Sequence, residues 1–138
     1  MRLRKTSVSI NTTNMSHDIV ADALNKIINA KRARAHRIVI THHSKLLLSV
    51  LAIAKLKGYV KHYAVDGRSL TVELDKLNGC NAIKPRFMVK VVELDDYVKR
   101  YLPAKHIGIL IVSTSRGLMT HRTAQEKNMG GSLLAYFY

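Results

Sequence analysis

Short apolar runs, each separated from the next by turn-forming residues, most restrict what this chain can fold into. The apolar run from Leu46 to Ala54 is broken by Ser49 and flanked by lysines. Since a helix that spans a bilayer needs about 20 consecutive apolar residues, no such helix is expected. Hydrophobic residues nevertheless make up 47% of the 138 residues, which is enough for the core of a globular protein. We therefore expect a soluble chain of one or two small domains.

The first half of the sequence predicts an α-β-α-β-β module. Apolar residues that recur with helical spacing indicate two helices, and Ser16 and Ser44 are suited to cap their N-termini. The dipeptide Asp66-Gly67 tolerates the left-handed conformation that a tight β-hairpin turn needs. The predicted elements are a helix over 18–30, a strand over 37–41, a helix between Ser44 and Gly58, and strands over 59–65 and 69–74.

The second half predicts a mostly β module with short helices. Asn78 lies in a loop-like segment, residues 75–84, and we place the domain boundary beside it. The predicted elements are an extended run over 87–92, a helix over 95–102, a strand over 107–112, a turn over 113–117, a helix over 120–128 and a strand over 133–138. The predicted fold class is α+β, with a basic N-terminal extension (1–14), an α/β domain (15–77) and a β-rich domain (78–138).

Charge is the strongest functional signal in the composition. The chain has 23 lysines and arginines but 9 aspartates and glutamates, which gives a net charge of +14. Residues 1–65 hold 12 of the cations and 2 of the acids, so the excess is concentrated in the first half. Such an excess is typical of proteins that bind a nucleic acid or an acidic membrane surface. The cations around the first predicted strand and the second predicted helix are Lys31, Arg32, Arg34, Arg37, Lys45, Lys55, Lys57 and Lys61.

The cysteine and aromatic content indicate the cellular compartment and the way in which nucleic acid is bound. The single cysteine, Cys80, cannot form an internal disulfide, so a reducing compartment is expected. The chain has no tryptophan, and aromatic residues make up only 6% of it, which argues against a surface dedicated to stacking single-stranded bases. Recognition of the backbone and shape of folded RNA is the better interpretation.

The hydroxyl-rich turn over 113–117 suits RNA contact better than catalysis. Ser113 occupies the position at which the G-x-S-x-G nucleophile motif around Ser115 needs its first glycine. Hydroxyl donors beside the cation Arg116 suit contacts to phosphates, 2′-hydroxyls and base edges. A small hydrolase that uses Ser115 and His121 is the enzyme alternative, although we expect His121 to lie on the surface.

No metal, cofactor or small-molecule site is expected. If His42 and His43 lie on a strand, they point to opposite faces, and no carboxylate or cysteine spacing completes a zinc set. The pair Gly130-Gly131 follows a predicted helix and lacks the Lys-Ser/Thr pair of a phosphate-binding loop. The sequence therefore predicts a binding protein, not an enzyme, without a small-molecule substrate and without membrane association.

Several segments, in order along the chain, match a known family. The most specific segment is Ser113-Thr114-Ser115-Arg116-Gly117-Leu118-Met119-Thr120. The other matching segments are Ala21-Asp22-Ala23-Leu24, Ile28-Asn29-Ala30, Ser44-Lys45, Gly58-Tyr59, Leu77-Asn78 with Cys80, Pro85-Arg86-Phe87, Ala124, Gly130-Gly131 and Leu134-Ala135-Tyr136. On these residues the chain resembles the universal small-subunit ribosomal protein eight family, in its archaeal and eukaryotic cytosolic form. The resemblance covers residues 15–138.

The resemblance implies a structural component of the small subunit of the cytosolic ribosome. Such a protein binds a helical junction in the central domain of small-subunit rRNA, supports platform assembly and lies beside other small-subunit proteins. On charge alone, a stand-alone regulatory RNA-binding protein is the alternative, and it would bind many RNAs with comparable affinity.

The resemblance also implies two groups of RNA contacts. The turn from Ser113 to Gly117 would enter the minor groove of the RNA, while Asn29, Lys31 and Lys45 would contact its backbone. With neighbouring cations and the rest of the family signature added, the predicted rRNA-binding residues are Asn29, Lys31, Arg32, Arg34, Lys45, Lys57, Arg86, Ser113, Thr114, Ser115, Arg116, Gly117, Thr120, Gly130 and Gly131.

Overall fold

The computed structural model describes residues 18–84 and 86–138. The predicted extension over 1–14, the proposed cap Ser16 and the family residue Pro85 lie outside these residues. The helices are α1 (Ile19–Arg32), α2 (Lys45–Leu56), α3 (Leu94–Tyr101) and α4 (His121–Glu126), with one 3-10 turn at Val91–Glu93. The strands are β1 (Arg37–Ile40), β2 (Val60–Asp66), β3 (Ser69–Leu74), β4 (Cys80–Ala82), β5 (Met88–Val89), β6 (Ile109–Thr114), β7 (Gly117–Thr120) and β8 (Gly131–Phe137). Within the described residues, each helix falls short of the length and apolar character that crossing a membrane requires.

The two N-terminal helices form where the sequence predicted them, and both have side-chain caps. Asp18 caps α1, since its carboxylate accepts a hydrogen bond from the backbone N–H of Ala21 at 3.0 Å. Ser44 caps α2 as predicted, and its hydroxyl accepts from the N–H of Leu47 at 3.2 Å. Lys31 and Arg32 lie in the last turn of α1, where positive charge offsets the negative end of the helix dipole.

The first sheet confirms the predicted hairpin. Its three antiparallel strands are ordered β1-β3-β2, and Gly67, in the turn between β2 and β3, has a φ of 63°. Leu70, Val72 and Leu74 alternate along β3 and are buried toward α1 and α2. The hairpin was predictable because the dipeptide Asp66-Gly67 is a local turn signal, and the positive φ of Gly67 agrees with it.

The second sheet corrects the prediction in three places. Its order is β4-β8-β6-β7, and β5 also pairs with β8. The segment 75–84, predicted as a loop, contains β4, and the extended run 87–92 shrinks to β5 followed by the 3-10 turn. The turn predicted over 113–117 is tighter, because β6 continues to Thr114 and β7 begins at Gly117. The three-residue strand β4 is held by pairing with the distant strand β8, and β7 is held by pairing with the adjacent strand β6 across a tight turn. Neither strand has a periodicity of its own that reveals it.

The second sheet is covered on both faces. Ile109 and Ile111 of β6 belong to a core that also contains the inner faces of α1, α2 and the first sheet. Leu110 and Val112 belong to a second core under α3 and α4. Because β6 is buried on both sides, its sequence is a continuous apolar run rather than an alternating one. The mixed helices and antiparallel sheets confirm the α+β fold class.

Candidate nucleic-acid interface

The β6–β7 hairpin ends in a tip that its own hydrogen bonds hold. The hydroxyl of Thr114 donates to the carbonyl of Gly117 at 2.9 Å and accepts from the backbone N–H of Arg116 at 3.1 Å. Gly117 has a φ of 106°, a conformation that other residues rarely adopt. Ser115 and Arg116 are exposed at the apex, whereas the Thr114 hydroxyl is used inside the turn. The tip therefore presents one hydroxyl and one cation on a fixed backbone.

A second serine, which the sequence did not single out, lies beside the tip. Ser113 on β6 pairs with Ser132 on β8, and both are half-buried. Directly paired residues of antiparallel strands point to the same face, with Cβ atoms about 5 Å apart. Ser113 also pairs with Leu118 of β7, so the two hydroxyls continue a row that runs across the sheet to the hairpin. Only the pairing of β6 with β8 reveals Ser132, because the two serines are distant in sequence.

The paired glycines have different environments. Gly131 is buried, and a Cβ placed there would collide with the backbone carbonyl of Ser113. A Cβ on Gly130, which is exposed, would lie 2.5 Å from the carbonyl oxygen of Val89. The absence of a side chain at Gly131 therefore lets β8 pack closely against β6 immediately behind the tip.

Thr120 and His121 support the base of the hairpin. Thr120 is 5% exposed, and its hydroxyl caps α4 by accepting from the N–H of Thr123 at 3.3 Å. His121 is only 3% exposed, so the expectation of a surface histidine was wrong. Its Nδ1 accepts the backbone N–H of Leu110 at 3.1 Å. Burial, helped by the Arg122 charge and opposed by Asp95, lowers the pKa of His121 to about 4.

The position of His121 also rules out the Ser115–His121 catalytic pair that the hydrolase alternative requires. His121 lies opposite Leu110, which is five residues before Ser115 along β6. An extended strand rises about 3.3 Å per residue, so the two side chains are attached ~16 Å apart. General-base catalysis needs hydrogen-bonding distance between base and nucleophile, and this separation is several times larger.

Arg86 joins the two halves of the molecule by an ion pair. Its guanidinium lies 3.6 Å from one carboxylate oxygen of Asp18, and the Lys84 ammonium lies 3.6 Å from the other. Because Asp18 also caps α1, the carboxylate ties the start of that helix to the segment before β5. Arg86 is thus partly neutralised, whereas the other predicted contact cations form no ion pair with any residue that the structure describes.

A second group of predicted residues lies at the C-terminal end of α1. Asn29, Lys31 and Arg32 are exposed and line one side of a groove of about 420 Å³. The opposite side is formed by polar and aromatic residues that the sequence reasoning missed, namely Asn78, Asn81, Tyr136 and Tyr138. Arg34 follows α1 and is exposed in a left-handed conformation with a φ of 62°.

The tip and the groove lie at opposite ends of β8. Ser132, near the start of β8, pairs with Ser113 behind the tip. Phe137, at the other end of β8, pairs with Cys80, which lines the groove. Five residues of strand separate Ser132 from Phe137, or ~17 Å. The tip and the groove are therefore two separate surfaces, and Lys45 and Arg86 belong to neither.

Lys45 and Lys57 mark the two ends of α2 and are both exposed. A helix of 12 residues is ~18 Å long, so the two charges lie far apart. Tyr59, just after Lys57, stacks on Phe137 with 6.0 Å between ring centroids. Lys57 therefore lies toward the groove end of β8, and Lys45 lies at the opposite end of the helix.

Most of the cations in this part of the chain have no carboxylate partner. Over residues 18–84 and 86–138, ion pairs within 4 Å are limited to Arg37–Glu73 and the two that Asp18 makes with Lys84 and Arg86. The same residues contain no cluster of three or more histidine, cysteine or acidic side chains that could hold a metal ion. The electrostatic character of the described surface is therefore that of an unneutralised polycation, which attracts phosphate.

Comparison with known proteins gives a consistent result. The family model described as Ribosomal protein S8 matches residues 18–138. The chain is 45% identical over 129 residues to the small ribosomal subunit protein uS8 of Nanoarchaeum equitans, covering 90% of this chain and 100% of that protein. It is 34% identical over 125 residues to the small ribosomal subunit proteins uS8A and uS8B of Schizosaccharomyces pombe, covering 87% of this chain and 96% of theirs.

Proposed function

Because the chain belongs to the ribosomal protein S8 family, whose members are ribosomal proteins and not enzymes, we propose that it binds a helical junction in the central domain of small-subunit rRNA. In this proposal it is a structural component of the cytosolic small subunit and helps assemble the platform beside neighbouring proteins. The observation that carries the proposal is the family match, which spans both the hairpin tip and the basic end of α1.

The tip suits the minor groove of an RNA helix. This groove is wide and shallow in A-form RNA and displays 2′-hydroxyls, which single hydroxyl side chains can reach. Ser115 is exposed at the apex, and Gly117 keeps the backbone free of a bulky side chain. The internal bonds of Thr114 fix the loop before binding, so little conformational entropy is lost when RNA is bound.

The cations suit a second, less specific contact with the phosphate backbone. The cations Lys31 and Lys45 are exposed and belong to two different helices, and the amide of Asn29 is exposed near Lys31. Phosphate contacts fix position and orientation, and they do not read sequence. Since tip and groove lie ~17 Å apart along β8, two RNA segments that meet at a junction can each face one of these surfaces.

Binding to transcripts tests the proposal. A transcript of the central domain of small-subunit rRNA is compared with a transcript of equal length from another domain of the same rRNA, over a range of salt concentrations. The expected result is a preference for the central domain that survives salt, with a slope of log affinity against log salt of about −5 if about six phosphates are neutralised. Equal affinity for both transcripts would favour the stand-alone regulatory RNA-binding protein instead.

Sedimentation provides the cellular counterpart. Tagged protein in a cell extract should co-migrate with small ribosomal subunits, and central-domain rRNA should remain bound through a salt wash. Free protein, or RNA that is lost without sequence enrichment, would contradict the structural role.

A further inference from the structure

The groove at the C-terminal end of α1 has an unusual lining. Its walls combine amide side chains, two cations and two tyrosine rings, and none of the described residues that line it is acidic. The groove lies between the second half of α1 and the end of the second sheet, where strand β4 forms the edge. The lining residues that matter here are Asn29, Asn78, Asn81, Lys31, Arg32 and Tyr138.

The aromatic ring of Tyr138 is held in place before any ligand binds. It lies parallel to the ring of Tyr136, with 6.0 Å between centroids and 5° between planes, and Tyr136 stacks in turn on Tyr101 at 5.5 Å. Gly79 leaves room for this ring, because an added Cβ would lie 2.6 Å from the Tyr138 Cζ. The ring is therefore a fixed, half-buried surface at the wall of the groove.

The edge of β4 is protected against pairing with a peptide strand. The backbone N–H of Ala82 donates to the side-chain oxygen of its neighbour Asn81 at 2.8 Å. This bond occupies a donor that strand addition would need, and β4 is only three residues long. The groove is consequently a poor site for an added β-strand.

We propose that this groove binds one unpaired nucleotide of the rRNA, with its base against Tyr138 and its phosphate against Lys31 and Arg32. Amide groups carry both donors and acceptors, so Asn78 matches the polar edge of a base, and Asn81, whose oxygen accepts from Ala82, adds amide donors. Aromatic rings stack on splayed-out bases, and cations without acidic neighbours attract phosphate. The proposal rests on the proposed rRNA-binding function and extends it from backbone contact to recognition of a base.

Photo-crosslinking and affinity measurements test the site. The probe is a short single-stranded oligouridine that carries one 4-thiouridine, at a salt concentration that weakens contacts made by phosphate alone. In the wild-type protein, crosslinks should map to peptides that contain residues 78–81 or 136–138. Tyr138→Leu should abolish these crosslinks and lower the affinity for the probe about tenfold, as loss of one stacked base predicts.

Matched variants separate the site from general effects. Tyr63→Leu removes a half-buried tyrosine from β2, outside the groove, and should leave crosslinks and affinity unchanged. Gly79→Ala keeps every lining side chain but displaces the Tyr138 ring, so it should weaken crosslinking without loss of folding, which a thermal melt verifies.

Failure of this inference is distinguishable from failure of the proposed function. If crosslinks map to 113–117, or resist Tyr138→Leu, while the central-domain transcript is still preferred, the nucleotide site is wrong and rRNA binding stands. If Tyr138-dependent crosslinks form but no transcript is preferred, the nucleotide site stands and the junction proposal is wrong.

Discussion

The β6–β7 tip and the C-terminal end of α1 differ in charge and in how firmly their RNA-binding groups are held. The tip has few charges, and its geometry is fixed by the Thr114 hydroxyl, by Gly131 packed under Ser113 and by buried His121 at its base. The end of α1 has exposed cations on long, mobile side chains, and its groove is open to solvent. Specificity in this protein should therefore depend on packing behind the tip and on the proposed base contact at Tyr138, whereas the cations of α1 should contribute affinity that does not depend on RNA sequence.

Acid should destabilise the folded protein through His121, which is buried at the base of the tip. His121 has a pKa of about 4 in the folded protein and about 6.5 when unfolded, so the unfolded chain binds more protons between these values. The stability that neutral His121 contributes is complete above pH 6.5 and is lost as pH falls toward 4, by about 3 kcal/mol. Chemical unfolding of wild type and His121→Gln across this range measures the difference. Identical pH profiles would show that the histidine is not coupled to folding.

Packing behind the tip should be the next most sensitive feature. Gly131→Ala forces a methyl group against the Ser113 carbonyl and should lower the free energy of unfolding by about 2 kcal/mol. Ser132→Ala, at the adjacent half-buried position, should change it by less than about 0.5 kcal/mol. Urea denaturation measures the free energy of unfolding of both variants. Equal midpoints for Gly131→Ala and Ser132→Ala would contradict tight packing at Gly131.

The apex hydroxyl should affect binding without affecting stability. Ser115→Ala should weaken binding to the central-domain transcript by about 1 kcal/mol, through one lost hydrogen bond, and leave the thermal midpoint unchanged. Affinity for a transcript from another rRNA domain is the control and should not change. An equal loss on both RNAs would mean that the tip contacts RNA nonspecifically.

The smallest effect is expected at a single cation of α1. Lys31→Ala should reduce the salt slope of binding by about one unit, with similar losses on every RNA. Lys99→Ala, on α3, is the matched control because it removes the same charge from an exposed position outside both surfaces. If Lys31→Ala weakened binding to the central-domain transcript alone, this cation would contribute to specificity, contrary to the proposed difference between the tip and the cations of α1.

Local patterns predicted the first half of the fold well. Helical spacing and the Ser44 cap located α2, and the turn-forming dipeptide Asp66-Gly67 between two strand-like runs located the β2–β3 hairpin. These signals are local because a helix satisfies its own backbone hydrogen bonds and a tight turn is set by its own residues. The predicted site residues of α1, Asn29, Lys31 and Arg32, are exposed at the C-terminal end of the helix, as the helical spacing of the apolar residues predicts.

Non-local contacts explain what sequence reasoning missed. Strand β4 exists because the distant strand β8 supplies its hydrogen-bond partners, and it is only three residues long. His121 looks like a surface histidine by composition, but the fold buries it and gives it the Leu110 N–H as a donor. Ser132 becomes a neighbour of Ser113 only through the pairing of β6 with β8.

The sequence by itself determined the positive charge, the α+β character, the hairpin and the family resemblance, because composition, periodicity and ordered motifs are properties of the chain. Only the tertiary structure decided that the tip and the basic end lie on opposite ends of β8, and that asparagines and tyrosines from distant segments share a groove with Lys31 and Arg32. The physical reason is that a strand's partners and the face on which a side chain lies are fixed by long-range packing, which no local pattern encodes.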